Sequence, residues 1–235
     1  MFDIVYLFRG LGMLMQPGLK RYVLVPTLIS ALILAGLIWI ATLQFEVFMN
    51  WALPAEDSWL YWLRWLLWPL FALTFMLLVF YTFTTIANLV GAPFNSRLSE
   101  IVSRRLNNDL SELPALPLLK DILQSMASEL KKLSYYLIRA IPLLILMLFP
   151  LTSAIASLLW LLFTIWFLAL EYIAYPLENR QLRFQEQKSW LGKRPLSAMS
   201  FGGGVFVLML IPLINLLVMP AAVIGATMLW HDKSK

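Results

Sequence analysis

The amino-acid sequence predicts an all-α integral membrane protein: two long transmembrane helices, two Pro-broken helical hairpins that half-penetrate the bilayer, and amphipathic cytoplasmic helices. Three observations predict it. Of 235 residues, 61% are hydrophobic and 13% charged, about half the charged share of a soluble domain. One soluble core of this size cannot use so much apolar surface, and a bilayer takes the surplus. Charged residues divide the chain into four uncharged stretches. Lysine and arginine avoid one connecting loop and crowd the others, which is a topology signal.

Residues 1–15 read as an interfacial helix. Phe2, Val5, Leu7, Phe8, Leu11 and Leu14 form its apolar side. Asp3 and Arg9 interrupt the run and no Ala-x-Ala site follows, so a signal peptide is not expected. Residues 22–43 have the length of one spanning helix at about 1.5 Å per residue. Residues 65–96 exceed the roughly 30 Å core, so that helix tilts or runs on past the membrane. Segment 97–139 is amphipathic, with Leu98, Ile101, Val102 and Leu106 on one face and Leu119, Ile122, Met126, Leu130, Leu133 and Leu137 on another. Leu113-Pro-Ala-Leu-Pro117 breaks it into two helices.

The remaining uncharged stretches, 140–170 and 195–230, are assigned by charge. The loop Gln44–Arg64 holds Glu46, Glu56 and Asp57 against a single Arg64, so it is the outer loop. Segment 97–139 has seven Lys and Arg, and segment 171–194 has five, so both belong inside. A single crossing by 140–170 would put them on opposite sides. A hairpin removes the conflict, with arms 140–150 and 158–170 and a turn starting at Pro150. Segment 201–230 repeats the pattern, with a tip from Pro212 to Pro220 containing Asn215. Leu146-Met-Leu-Phe-Pro-Leu151 and Leu208-Met-Leu-Ile-Pro-Leu213 differ at one position, and paired Pro-broken segments point towards a transport pathway. The competing assignment is two Pro-kinked spanning helices, which membranes also tolerate.

Composition removes most chemistry. The chain has no Cys and one His, His231, so disulfides, thiol catalysis and His-cluster metal sites are not expected. No nucleophile elbow, P-loop or paired carboxylate falls in the apolar stretches. The reading is of a non-enzyme without cofactor or metal. The net charge of +5 reads as topology and anion attraction, with no nucleic acid as partner.

The sharpest local feature is Gln16-Pro-Gly-Leu-Lys-Arg21. Pro17 and Gly18 break one helix and the next begins, bringing free backbone N–H groups, the positive end of a helix dipole and two cations together. That combination holds tetrahedral anions. Lys20 and Arg21 also suit an ordinary positive-inside anchor. Asn88, Asn95 and Asn215 are candidate pore-lining amides, or equally interhelical hydrogen-bond partners. Gly202-Gly-Gly204 reads as a flexible hairpin entry or as a nest of N–H groups. Glu171, at a membrane edge, reads as a solvated charge or a proton-sensing acid. Glu100 and Arg104 have helical ion-pair spacing.

Four motifs in order resemble the CysZ family of sulfate permeases: Gln16-Pro-Gly-Leu-Lys-Arg21 with Pro26, Ile86-Ala-Asn-Leu-Val-Gly-Ala-Pro-Phe-Asn95, Glu171-Tyr-Ile-Ala-Tyr-Pro-Leu-Glu-Asn179, and Ile211-Pro-Leu-Ile-Asn-Leu-Leu-Val-Met-Pro220 with Gly225-Ala-Thr227. The resemblance implies sulfate as substrate, uptake for cysteine biosynthesis, a multi-pass place in the bacterial inner membrane, and a homo-oligomer in the lipid bilayer. It also implies sulfate binding at Gly18, Leu19, Lys20 and Arg21. The family pattern has Arg at the third of these places; Lys20 keeps the charge and lacks the planar fork. The alternative function is a membrane scaffold or assembly protein without a transport path.

Overall fold

The computed structural model describes residues 3–14, 16, 18–52, 61–108 and 119–234; within these, the side chains at 46, 52, 64, 84, 85, 88, 89, 119–129, 212, 213, 215 and 216 lie outside the description. The described residues form α1 (Val5–Leu14), α2 (Arg21–Ala52), α3 (Leu63–Leu106), α4 (Leu119–Met147), α5 (Pro150–Glu178), α6 (Phe184–Gly192), α7 (Pro195–Met209) and α8 (Pro212–Lys233), with no strand among them. They fall into two compact units, Arg21–Phe94 and the remainder, Met1–Lys20 with Asn95–Lys235.

The unit 21–94 is a helical hairpin of α2 and the first part of α3. Phe45 meets Phe75 and Trp68, and Phe48 meets Phe71, with ring centroids 5.6, 5.9 and 5.7 Å apart. The pairing order runs backwards, so the helices are antiparallel. Arg21–Trp51 and Trp65–Phe83 are long and apolar enough to cross a membrane, and so, in the larger unit, is Pro150–Glu178, a third such helix where the sequence leads to two. Leu32, Trp39 and Trp65 face outwards and exposed, as lipid-facing residues do. Trp51, Trp62 and Trp65 are exposed at the hairpin's closed end, where an aromatic belt belongs. The helix over 22–43 extends to Ala52, because a charge such as Glu46 ends an uncharged run without ending a helix. The acidic residues Glu56 and Asp57 lie outside the described residues.

The larger unit is built on two more hairpins, α4–α5 and α7–α8. Along α4 and α5, Tyr136 stacks against Phe163 and Phe167 at 5.5 and 4.8 Å, Trp166 donates to the Tyr135 hydroxyl at 3.1 Å, and Lys132 meets Glu171 at 3.3 Å. This order is again antiparallel, so 140–170 turns back. The turn is Leu148–Phe149, and Pro150 is already the first residue of α5. The turn thus precedes Pro150 and does not start at it; Pro suits the first helical position, where its missing N–H costs nothing. Thr152 then donates to the Leu146 carbonyl at 2.6 Å, satisfying an end group of α4. The second hairpin shifts in the same way. Leu210 and Ile211 make the turn, Pro212 opens α8, and Asn215 and Pro220 lie within that helix rather than at a tip.

α8 is the centre of this unit: Val218 and Ala221 to Thr227 are buried against α1, α5 and α7. In lipid, helices associate by close packing more than by the hydrophobic effect, and small residues permit it. A Cβ on Gly225 would lie 2.7 Å from the Tyr6 carbonyl oxygen, and one on Gly10 would strike the Ala221 carbonyl. The expected interfacial helix is therefore docked along one side on α8, with Leu7, Gly10 and Leu14 buried and Phe8 outside. Gly202-Gly-Gly204 is neither a flexible entry nor a nest. It lies inside α7, where Gly202 abuts the Ile165 carbonyl and Gly204 receives the Ile4 side chain.

Candidate functional site

The segment before α2 is a turn at 18–20. Gly18 takes φ +86°, a conformation in which a side chain is strained. Leu19 is fully buried, and its N–H donates to the Gln16 carbonyl at 3.3 Å. Leu19 is thus an anchor whose amide is engaged inside the turn. Lys20 beside it is exposed. Arg21, the next residue, opens α2 in the other unit. Its guanidinium donates to the Tyr22 hydroxyl at 3.1 Å and lies 4.9 Å from that ring's centre. Pro17 lies outside the described residues.

A residue that the sequence did not single out joins this turn. Arg105, in the last turn of α3, donates through Nη1 to Gln16 Oε1 at 3.4 Å. Its Nη2 lies 3.2 Å from where a Cβ on Gly18 would stand. No spacing rule connects residues 89 positions apart, so only folding reveals the pairing. A cation also suits the negative end of α3's dipole.

Of the candidate pore-lining amides, Asn95 is buried in the larger unit; the side chains of Asn88 and Asn215 lie outside the described residues. Asn95 is followed by neutral hydrogen-bonded pairs. Ser96 donates to Asn179 Oδ1 at 2.8 Å, and Asn179 Nδ2 donates to the Ser96 carbonyl at 3.0 Å. Ser99 and Thr227 share a buried hydrogen bond of 2.9 Å. Asn179 and Thr227 fall within the motifs already quoted, whereas Ser96 and Ser99 lie outside them.

Glu100 and Glu171 are both paired. Glu100 bridges Arg97 and Arg104, each at 3.3 Å, so the expected helical pair gains a second cation. Glu171 pairs with Lys132, whose side chain is 6% exposed, so Glu171 is not simply a solvated charge. No group of His, Asp or Glu suited to a metal occurs among the described residues.

Sequence comparison gives a consistent result. The family described as Sulfate transporter CysZ/Etoposide-induced protein 2.4 matches residues 6–220. A protein of Pseudomonas fluorescens strain SBW25 named Sulfate transporter CysZ is 47% identical over 227 residues, 96% of this chain and 89% of the relative. Proteins of the same name from Pseudomonas aeruginosa strain LESB58 and Pectobacterium atrosepticum are 42% and 37% identical, over 96% and 97% of this chain and 92% and 84% of theirs. With a match of this extent, the chain belongs to the Sulfate transporter CysZ/Etoposide-induced protein 2.4 family.

Proposed function

We propose that this chain is a sulfate transporter, taking the anion across the bacterial inner membrane to supply sulfur for cysteine biosynthesis. The observation that carries the reading is identity of 37–47% over nearly the whole chain with proteins named Sulfate transporter CysZ. Capture is assigned to Gly18, Leu19, Lys20 and Arg21. What supports it is the exposed Lys20 on a turn set by Gly18 at φ +86°, directly followed by Arg21 at a helix start, where anions are favoured.

Beyond capture, the anion needs a path that attracts without trapping it. Neutral hydroxyls and amides serve better there than fixed cations. Asn88, Asn95 and Asn215 are assigned to such a path, and the Ser96–Asn179 and Ser99–Thr227 pairs add neutral polar groups beside Asn95. In this reading the α4–α5 and α7–α8 hairpins enter the bilayer from the cytoplasmic side and return halfway. The chain works as a homo-oligomer and catalyses no reaction.

The test is sulfate flux into liposomes holding the purified protein, with and without a pH gradient. Saturable sulfate uptake above empty liposomes is expected. No uptake from correctly inserted protein leaves the scaffold function in its place. Asn215→Leu separates lining from packing: reduced flux per folded protein supports a lining role, and unchanged flux assigns Asn215 to packing.

A further inference from the structure

We propose that Arg139 and Lys188 hold the phosphate of an anionic phospholipid whose chains lie along α4. Both cations stand by one ring. The Arg139 guanidinium is 3.7 Å from the centre of the Tyr135 ring, and the Lys188 ammonium is 5.2 Å from it. All three residues belong to the larger unit. Two other helices fix the ring: Trp166 of α5 donates to its hydroxyl at 3.1 Å, and Phe184 of α6 meets it in a T-shaped contact at 5.5 Å. Cation–π attraction brings each charge to the ring, yet two like charges this near repel each other. An anion bound by both relieves that repulsion.

Among the described residues no carboxylate does so. Glu171 pairs with Lys132 at 3.3 Å, Glu178 accepts from Gln187 at 3.2 Å, and Glu186 accepts from the Arg183 N–H at 2.7 Å. Arg139 is exposed, and Nη1 donates to the Tyr135 carbonyl at 3.3 Å. Guanidinium N–H groups in parallel match two oxygens of a phosphate. The continuation of α4 points to a lipid over a free anion. Arg139 is the last charge before an uncharged run to Met147. Ile138, Pro142 and Ile145 follow Tyr135 at helical spacing, on its side of the helix. Ile138 is 68% and Ile145 51% exposed. Cations at one end and an exposed apolar stripe beyond them match a charged headgroup and its acyl chains.

Native mass spectrometry of the full-length protein counts bound lipid after addition of phosphatidylglycerol or phosphatidylcholine. Four proteins are compared: the parent, Arg139→Gln with Lys188→Gln, Arg183→Gln with Lys193→Gln, and Ile138→Ser. The parent is expected to prefer phosphatidylglycerol. The Arg139, Lys188 variant is expected to bind it about tenfold or more weakly, as loss of charged contacts does. Arg183 and Lys193 are exposed, and removing them takes away the same charge, so that variant is expected to bind like the parent. Ile138→Ser interrupts the apolar stripe and is expected to weaken phosphatidylglycerol as well. Equal loss in the two double variants would overturn the site in favour of a diffuse positive surface. Equal binding of the two lipids by the parent would overturn it too, as would glycerol phosphate displacing phosphatidylglycerol at equal concentration, since it has no chains. If the parent binds neither lipid and Ile138→Ser turns an oligomer into a monomer, a second copy of the chain covers the stripe and the lipid site falls. Should the Arg139, Lys188 variant fail to fold, Lys188→Gln alone decides: it is expected to lose most of the preference, and an unchanged preference removes the site.

Discussion

The Lys233 ammonium stands 2.6 Å from the Asp3 carboxylate, which ties α8 to the residues leading into α1. Lys233 also donates to the Ser197 hydroxyl at 2.6 Å, and Arg194 donates to the Lys233 carbonyl at 3.0 Å. One cation thus fastens α1, α7 and α8 at one end of the larger unit. The Asp3 side chain is only 10% exposed, so losing its partner leaves a poorly solvated charge. Lys233→Met is expected to destabilise the protein by about 1–3 kcal/mol, read by thermal unfolding in detergent. Adding Asp3→Asn should recover part of that loss, because the stranded charge is gone. Strictly additive costs would show that the pair does not interact.

How much of this was legible beforehand depends on the range of the interaction. Helix content and the turning back of 140–170 and 201–230 followed from apolar run lengths and from the lysines and arginines of 171–194, which act through the membrane as a whole. The turn positions missed by a few residues, because Pro150 and Pro212 look like breakers but serve as first helical residues. Gly202 and Gly225 were harder. Their meaning lies in the carbonyls of Ile165 and Tyr6 above them, and no local pattern encodes a partner helix. The same holds at the candidate site. Gly18, Lys20 and Arg21 are one short motif and could be read directly, whereas Arg105 reaches the motif only through the fold.

Tyr6 gives a pH dependence. Its hydroxyl donates to Asp232 at 2.9 Å. Burial, then that hydrogen bond and the Asp232 charge, raise its pKa from 10.0 to about 12. Folding therefore favours the protonated phenol. Its contribution is complete below pH 10 and is lost as pH rises from there through about 12. Stability of the parent should fall across that window more steeply than that of Tyr6→Phe, which has no proton to lose. Parallel alkaline limbs in the two proteins would remove Tyr6 as a cause.

The hairpins give a topological prediction. Because α4 and α5 run antiparallel, residues before and after them should share one side of the membrane. The Cys-free chain allows single cysteines at Ser111 and Ser189, probed with a membrane-impermeant maleimide. The fraction labelled from outside should be equal at the two sites. That equality holds even if the chain inserts in both orientations, since each molecule carries both sites together. Labelling from opposite sides would overturn the shared-side assignment of 97–139 and 171–194.

The anion site gives the most direct test of function. A sulfate held by Lys20 and Arg21 gains charge-assisted hydrogen bonds, each contributing about 1.5–3 kcal/mol. Losing both should weaken binding at least about tenfold. Lys20→Ala with Arg21→Ala is therefore expected to abolish measurable sulfate binding in protein that still inserts. Lys20→Arg should preserve or tighten binding, because it keeps the charge and adds a fork. Insertion is checked separately with the maleimide assay, since these cations also favour an inside N-terminus. Flux in liposomes should fall with binding if the site lies on the transport route. A correctly inserted double variant that binds sulfate like the parent would leave Lys20 and Arg21 as topology anchors alone. One that loses binding but keeps full flux would place the bound sulfate off the route.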